Sequence, residues 1–258
     1  MVFPEGTRSY THEINRFKKG AFYLSESLHL PIQPLILHGV HEIIPKGDYM
    51  IYDGHINAIA LTPILPDDRS YGNTYKERTK KISAHFKTQY QLWRNKLESA
   101  DYYKNKLFLN YLYKEQNVVK EVKREFNAHK EAYLALNQWI STKANIVHLT
   151  QDYGQTDFLL LKHSPSRKIQ TVNTVEERRN VSETSHLLKV RTLSYHQDFS
   201  TVDVKKPAIL LISHQTEIEN ISIFTEFEQV IFLLQTPIHT DNLKKIHSSQ
   251  YINVYEPI

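Results

Sequence analysis

The chain has 258 residues, of which 40% are hydrophobic, and a formal net charge of +4 at pH 7. It contains no cysteine, which excludes a disulfide framework, a thiolate zinc site and a cysteine nucleophile. No apolar run approaches the roughly 18 residues of a membrane-spanning helix, and the first residues lack the order of a signal peptide, so we expect a cytoplasmic protein.

The surplus of positive charge lies in the first half of the chain. Such a surplus fits phosphate groups or an anionic membrane surface, although a solvated helix face gives the same count. Beyond this mild surplus no motif indicates a nucleic-acid partner.

The first hundred residues alternate turn residues with short apolar runs, which predicts an α/β domain over residues 1–100. Apolar residues at helical spacing (Phe17, Ala21, Leu24 and Leu28) predict a helix that ends before Pro31. Three strands are predicted after it, at Ile32 to Leu37, Tyr49 to Tyr52 and Ile56 to Leu61, with Asp53 and Gly54 as a hairpin turn between the last two.

Thr74 to Ser141 contains neither proline nor glycine and carries apolar residues every three or four positions, which predicts several helices. Residues 101–141 form a helical connector in this interpretation. Beyond it, residues 142–258 alternate short apolar runs with helix-sized segments, which is typical of a doubly wound, Rossmann-like sheet. Its predicted strands are Ile146 to Leu149, Ile169 to Val172, Val190 to Tyr195, Ala208 to Ser213 and Gln229 to Gln235.

The segment Phe3 to Ser9 (FPEGTRS) resembles the third conserved block of the PlsC-like family of glycerol-3-phosphate and 1-acylglycerol-3-phosphate acyltransferases. About 25 residues later, Leu30 to Leu35 (LPIQPL) resembles the fourth block, an apolar strand framed by two prolines. Order and spacing both agree with the family. The resemblance covers only the carboxy-terminal half of the family's domain.

The residue types suit a phosphate ligand without the family name. The Arg8 guanidinium can hold two phosphate oxygens at once, while Gly6 and Thr7 let backbone amides and a hydroxyl approach the same anion. Glu5 could hold the arginine or an acceptor hydroxyl. The alternative is an ordinary turn with a solvated arginine. Lys18 and Lys19 carry low weight, because a charge pair on a helix is usually only solvated.

The family resemblance implies transfer of an acyl group from acyl-CoA or acyl carrier protein to the hydroxyl of a lysophosphatidic acid. It also implies an acceptor and acyl pocket at Pro31, Ile32 and Pro34. No bound cofactor and no metal is expected. The anionic membrane surface is a further expected partner, with the protein peripheral at its inner face.

The family's base is a histidine followed by four residues and an aspartate, and none of the fourteen histidines here has an aspartate five positions on. His214 has Glu219 at that distance, but it lies in the second domain, where a chance match is the better explanation. We therefore expect no catalytic residue in this chain and interpret it as a fragment, inactive alone, whose catalytic half belongs to a longer parent chain or a partner.

Ile146 to Gly154 lies where a class I methyltransferase has its first strand and glycine-rich loop, and the second domain resembles a degenerate member of that class. The tight-turn positions carry Thr150, Gln151 and Asp152, and only Gly154 is kept. Asn173 stands where an acidic residue would hold the cofactor's ribose. These losses predict that S-adenosylmethionine does not bind.

Two functions remain open on the sequence. The chain is a piece of a phospholipid-synthesis acyltransferase, or it is a non-catalytic protein that binds phosphate or a membrane surface and docks a partner. A methyltransferase ranks last, because it requires the glycine loop and the ribose acid that the sequence lacks.

Overall fold

The computed structural model describes residues 1–10, 13–47, 49, 51–185, 188, 190–213, 221–234 and 242–258. Four residues discussed above lie outside these ranges. Met50 and Gln235 belong to predicted strands, and His214 and Glu219 form the histidine–glutamate pair. The chain divides into two compact units, Met1–Leu97 and Glu98–Ile258.

The first unit is a small α/β unit. Its elements are α1 (Gly20–Ser27), β1 (Leu35–His38), α2 (Val40–Ile43), β2 (Asn57–Ala60) and α3 (Tyr75–Leu97), with a 3-10 turn at Arg69–Tyr71 before α3. β1 and β2 pair antiparallel, with Leu35 opposite Ala60. The helix predicted before the first strand is confirmed, although Leu24 and Leu28 of its apolar pattern are exposed.

The core of the first unit forms around aromatic rings. Phe17, Phe22, Ile64 and Ile82 are buried in one cluster. Phe17 makes an edge-to-face contact with Phe86, with ring centroids 5.3 Å apart, and thereby joins the segment before α1 to the long helix α3. The helical spacing of Ile82 and Phe86 in the sequence indicated this buried face of α3 correctly.

The predicted hairpin at Asp53 and Gly54 is wrong. Residues 51–56 form no strand, and the partner of β2 is β1. Gly39, with φ of 89°, ends β1 and starts α2, a short helix that the sequence pattern did not indicate. The backbone N–H of Tyr52 then donates to the Ile43 carbonyl at the end of α2, so this segment pairs with a helix end instead of a strand.

The second unit begins with two helices, α4 (Ala100–Leu109) and α5 (Gln116–Trp139). Strands and helices then alternate: β3 (Asn145–Leu149), α6 (Gln155–His163), β4 (Lys168–Val172), α7 (Glu176–Glu183), β5 (Leu193–His196), β6 (Ala208–Ile212), β7 (Gln229–Leu233), β8 (Leu243–Ser248) and β9 (Ile252–Pro257). The sheet order is β5-β4-β3-β6-β7-β9-β8. β9 runs antiparallel to both neighbours, and the remaining pairs are parallel.

This strand order confirms the predicted doubly wound α/β class. The chain adds β4 and β5 on one side of β3, then returns to β6 on its other side, so the order reverses between β3 and β6. In such sheets ligands bind at the carboxyl ends of the strands on either side of the reversal. All five predicted strands are present in the described residues, whereas β8 and β9 were missed.

The two faces of the sheet are covered differently. Residues of β3, β4, β6, β7 and β9 enter a large cluster that also contains side chains of α4, α5 and α6, among them Tyr103, Phe126 and Leu160. The opposite face packs against Phe224 and Phe227, which follow β6 in a 3-10 turn and its exit. The segment between β5 and β6, predicted to be helix-sized, contains only a 3-10 turn at Phe199–Thr201.

Arg167 ties the ends of two helices together although it is fully buried. Its guanidinium donates to the carbonyls of Ile140 (2.5 Å), Ser141 (3.1 Å) and Leu160 (3.0 Å) and to the Asn137 side-chain oxygen. The last carbonyls of a helix have no partner within it, so a buried helix end needs outside donors. Arg167 supplies them where α5 ends.

We expect Arg167→Met to lower the free energy of unfolding of the second unit by about 3 kcal/mol, because several buried carbonyls lose their donor at once. Arg167→Lys should lose nearly as much, since one ammonium cannot reach oxygens spread over two helices. Chemical denaturation measures both. Arg191→Met at an exposed position is the matched control, and a loss equal to that of the control would contradict this role for Arg167.

Candidate functional site

The segment Phe3 to Arg8 forms a tight loop closed by its own backbone. The N–H of Gly6 donates to the Phe3 carbonyl at 3.0 Å, and Gly6 has φ of 70°, a conformation that side-chain-bearing residues rarely adopt. A Cβ added at Gly6 would lie 2.6 Å from Nζ of Lys18. The positive φ of the turn therefore favours glycine here, and the flexible end of Lys18 lies directly against it.

Two reciprocal hydrogen bonds join this loop to the segment after α2. Arg8 Nη1 donates to the Ile44 carbonyl at 3.0 Å and approaches the Pro45 carbonyl at 3.5 Å. Lys46 Nζ donates to Thr7 Oγ1 at 2.9 Å. The loop and the segment at residues 44–46 thus hold each other in place, although they are far apart in the sequence.

The other side of the loop is fixed by the segment before α1. Glu5 Oε2 accepts a hydrogen bond from the Asn15 N–H at 2.7 Å, and the Lys18 N–H donates to the Pro4 carbonyl at 2.7 Å. Glu5 thus binds backbone through this oxygen, and its role toward an acceptor hydroxyl stays a prediction. Lys18, for which the sequence offered little reason to expect a role in phosphate binding, lies directly against Gly6.

Three cationic side chains therefore surround one exposed glycine loop: Arg8, Lys18 and Lys46. The backbone N–H groups of Thr7 and Arg8, and Nε and Nη2 of Arg8, make no hydrogen bond with any described residue. Backbone donors next to a left-handed glycine, together with a planar guanidinium, are the groups that proteins use to hold phosphate oxygens. The arrangement can bind an anionic phosphate group.

The predicted pocket residues lie on the same unit. Ile32 is half-buried and pairs with Ile64 in a two-residue antiparallel bridge, each N–H donating to the other's carbonyl at 2.9 Å. Pro34 is buried and its carbonyl accepts from the Leu61 N–H, whereas Pro31 is exposed. Their role as acceptor and acyl pocket stays a prediction.

In the second unit the loop after β3 satisfies its own donors. The Asp152 carboxylate accepts from the N–H of Gly154 at 2.8 Å and from the N–H of Thr156 at 3.1 Å, at the start of α6. Asp152 is fully buried. These are the amides that would face an anionic ligand at the first strand of a doubly wound sheet. The chain's own carboxylate occupies that position.

Asn173, at the end of β4, is engaged in the same way. Its side-chain nitrogen donates to the Asp152 carbonyl at 2.9 Å, and its side-chain oxygen accepts from the Val175 N–H at 3.1 Å. Arg178 donates to the Gln151 carbonyl and, at 2.9 Å, to Glu121, which lies on α5. The residues that would hold a cofactor's ribose and carboxylate thus hold the loop.

A serine, a histidine and an aspartate lie in line in the core of the second unit. His148 Nδ1 lies 2.7 Å from Asp157 Oδ1, and His148 Nε2 lies 2.8 Å from Ser213 Oγ. Burial acts to lower the pKa of His148, but the Asp157 and Asp152 carboxylates raise it above its ordinary value. Ser213 donates onward to Thr150 at 2.8 Å, so its proton is not directed at the imidazole as a nucleophile would require. We interpret this chain of bonds as a polar support for the core.

Among the described helices none combines the length and the apolar content needed to cross a bilayer. Within the same described ranges, no group of three or more His, Cys, Asp or Glu side chains could hold a metal ion.

Comparison with known proteins separates the two units. The family model described as Acyltransferase matches residues 1–38. A 1-acyl-sn-glycerol-3-phosphate acyltransferase of Limnanthes douglasii is 43% identical over 68 residues, which is 26% of this chain and 24% of that protein. The Saccharomyces cerevisiae protein of the same name is 47% identical over 69 residues, 26% of this chain and 23% of that protein. The chain thus spans about a quarter of the length of these relatives.

Solved structures resemble the chain more distantly. The structure of TrmK from M. capricolum with S-adenosyl-homocysteine covers 48% of this chain and 67% of that chain, with 6% identity and a TM-score of 0.37. The tRNA (m1A58) methyltransferase TrmI of Aquifex aeolicus covers 50% of this chain and 68% of that chain, with 13% identity and a TM-score of 0.36. These TM-scores are too low to establish a structural relationship. The fold class is therefore assigned from the strand order.

The Glu125 carboxylate, near Asp152 of the loop after β3, makes a pH test possible. Burial, with the nearby charges of Asp152 and Glu121, raises the pKa of Glu125 from 4.5 to about 7, against the opposing charges of Arg178 and Arg124. Because the folded state binds this proton more tightly than the unfolded chain, the group destabilises the fold progressively as pH rises from about 4.5 to about 7.

We therefore expect Glu125→Gln to raise the melting temperature relative to the wild type by an amount that grows between pH 4.5 and 7 and is constant above it. The glutamine can still accept the hydrogen bond from Gln155. Thermal melts across this pH range measure the difference. Glu228→Gln, at an exposed position, is the control for the loss of one carboxylate. A difference for Glu125→Gln that does not vary with pH would contradict the assignment.

Proposed function

We propose that the first unit binds the acceptor phosphate of an acyltransferase of phospholipid synthesis. The reaction would transfer an acyl group from acyl-CoA or acyl carrier protein to the free hydroxyl of a lysophosphatidic acid. The observation that carries the proposal is the glycine loop at Gly6 to Arg8, which offers two unused backbone donors and a guanidinium within a cationic surround. The match of residues 1–38 to the Acyltransferase family supports it.

In this proposal the loop orients the acceptor and does not carry out proton transfer. The acceptor hydroxyl attacks the thioester carbonyl, a base takes the hydroxyl proton, and the thiol of the donor leaves. No histidine in these 258 residues stands five positions before an aspartate. The proposal therefore assigns no base among these residues, and lack of a base typically lowers the rate about a hundred- to ten-thousand-fold.

The proposal places the protein at the inner face of a membrane as a peripheral protein, since a lysophospholipid acceptor lies in the bilayer. Leu24, Leu28 and Leu30, on α1 and just after it, are each more than half exposed. Exposed leucines on the same unit as a cationic loop favour contact with an anionic lipid surface.

A second candidate function has an observation of its own. In the second unit Asp152 accepts hydrogen bonds from the backbone N–H groups that would otherwise face a cofactor. This favours a scaffold or docking role for that unit. Under this alternative the chain binds phosphate or a membrane surface through the first unit and a partner through the second, without catalysis.

For the first unit, we expect Arg8→Ala to abolish most binding to phosphatidylcholine vesicles that carry a minor fraction of lysophosphatidic acid, measured by co-sedimentation. Arg8→Lys should also bind more weakly than the wild type, because an ammonium keeps the charge but not the two-pronged geometry. The loss should be small for vesicles that carry monoacylglycerol in place of lysophosphatidic acid.

Arg69→Ala is the matched control, because Arg69 is exposed on the same unit and lies in the 3-10 turn before α3. If Arg8→Ala and Arg69→Ala weakened binding equally, the loss would reflect net charge alone and the phosphate role of Arg8 would be wrong.

For the second unit, we expect no binding of S-adenosylmethionine at physiological concentration in calorimetry. Asp152→Gly should lower the free energy of unfolding by about 2 kcal/mol, since two buried N–H groups lose their acceptor. Added formate should restore part of the melting temperature of this variant and leave that of the wild type unchanged. A dissociation constant in the low micromolar range for the wild type would show that the loop is open to the cofactor.

A further inference from the structure

We infer that Lys46 is a specificity-determining residue that favours a dianionic phosphate monoester over a monoanionic phosphodiester at the Gly6 to Arg8 loop. The inference rests on the proposed function, because it names the charge state of the acceptor headgroup that the loop takes. Lys46 lies outside the two sequence blocks that indicated the site, and the comparison with the Acyltransferase family ends before it.

The position of the ammonium group carries the inference. Lys46 Nζ lies 2.9 Å from Thr7 Oγ1, on the residue between the glycine and the arginine of the loop. Arg8 Nη1 reaches back to the carbonyls of Ile44 and Pro45, directly before Lys46 in the chain. The two cations therefore approach the same loop from adjacent backbone positions, and an anion bound by Arg8 and the Thr7 N–H lies beside the Lys46 ammonium.

One further side-chain contact and one backbone turn hold Lys46 in this position. Its Nζ lies 4.3 Å from the centroid of the Tyr10 ring, a cation–π contact that orients the side chain toward the loop. Gly47 follows with φ of 89°, which turns the chain directly after the lysine. A lysine bound to a hydroxyl and an aromatic face is ordered before any ligand arrives, and less side-chain entropy is lost on binding.

The charges around the loop favour a dianion. A guanidinium alone balances one negative charge and suits a phosphodiester as well as a monoester. Lys46 and Lys18 add two further positive charges, against one formal negative charge on the nearby Glu5, whose carboxylate accepts from the Asn15 N–H. A phosphate monoester takes its second negative charge with a pKa of about 6, so the additional cation matters most above that pH. Lysophosphatidic acid is a monoester, whereas most membrane phospholipids are diesters.

The test compares vesicle binding by the full chain and its variants. Phosphatidylcholine vesicles carry equal fractions of either lysophosphatidic acid, the monoester, or phosphatidylglycerol, the diester. Soluble glycerol 3-phosphate is added as a competitor to separate recognition of the headgroup from attraction to the surface. For the wild type we expect preference for the monoester, competition by glycerol 3-phosphate, and a preference that increases as pH rises through about 6.

We expect Lys46→Met to lower the ratio of monoester to diester affinity roughly fivefold and to flatten its dependence on pH. Lys46→Arg should retain both, because the positive charge is kept. Lys87→Met, an exposed lysine of α3, is the control for net charge and should leave the ratio unchanged. Thr7→Val removes the hydroxyl contact but keeps the charge, so the pH dependence should persist in that variant.

The outcomes separate this inference from the proposed function. If Arg8→Ala abolishes monoester binding while Lys46→Met leaves both the affinity ratio and its pH dependence unchanged, the role of Lys46 is overturned and the phosphate site stands. If Arg8→Ala has no effect on monoester binding, the proposed function itself fails. Loss of binding to both lipids in equal measure in Lys46→Met, with pH dependence retained, would show that Lys46 is only a strut for Thr7. Thermal melts of each variant establish that the fold is intact.

Discussion

The Asp152 carboxylate accepts hydrogen bonds from Gly154 and Thr156 and so closes the start of α6 onto the end of β3. Buried N–H groups at a helix start need an acceptor, and a bound ligand or a side chain can supply it. Here a side chain does. Asn173 then donates to the Asp152 carbonyl, which joins the ends of β3 and β4, next to the reversal of strand order between β3 and β6. At this end of the sheet, where doubly wound sheets usually bind a ligand, the amides at the start of α6 are bonded to the chain's own carboxylate.

In the loop of the first unit, by contrast, backbone N–H groups have no acceptor among the described residues. These N–H groups belong to Thr7 and Arg8, and the cationic side chains of Arg8, Lys18 and Lys46 lie close to the loop. Like charges brought together destabilise a fold, and unused donors contribute nothing to it. A sequence that maintains such a loop departs from what stability alone favours, and departures of this kind are typical of binding sites.

The sequence predicted the elements that depend on local pattern. Apolar runs such as Ala208 to Ile212 indicated the parallel strands, because strands buried on both faces are continuously apolar. β8 escaped this pattern: Leu243 is buried, but Lys244 and Lys245 are exposed, as suits a strand at the edge of a sheet. The hairpin at Asp53 and Gly54 failed because a turn dipeptide specifies a bend and not the partner of the strand that follows.

The candidate site divides in the same way. Glu5 to Arg8 could be identified from the sequence because the residue types and their order are local. Lys46 could not, because its relation to Thr7 depends on the path of β1 and α2, which brings two distant segments together. The same holds for His148, whose place beside Asp157 and Ser213 results from the pairing of β3 with β6.

Whether the backbone N–H groups of a loop are already hydrogen-bonded within the chain also determines how each unit should respond to ligands. A ligand stabilises a fold only to the extent that it binds the folded state and not the unfolded chain. In the second unit the Asp152 carboxylate is part of the chain and is always present, so the stability of that loop does not depend on any ligand concentration. In the first unit an anion would relieve repulsion among Arg8, Lys18 and Lys46 and would satisfy the free donors. On the proposed function, stability that depends on an added phosphate monoester would therefore belong to the first unit, whereas the stability of the Asp152 loop would not change.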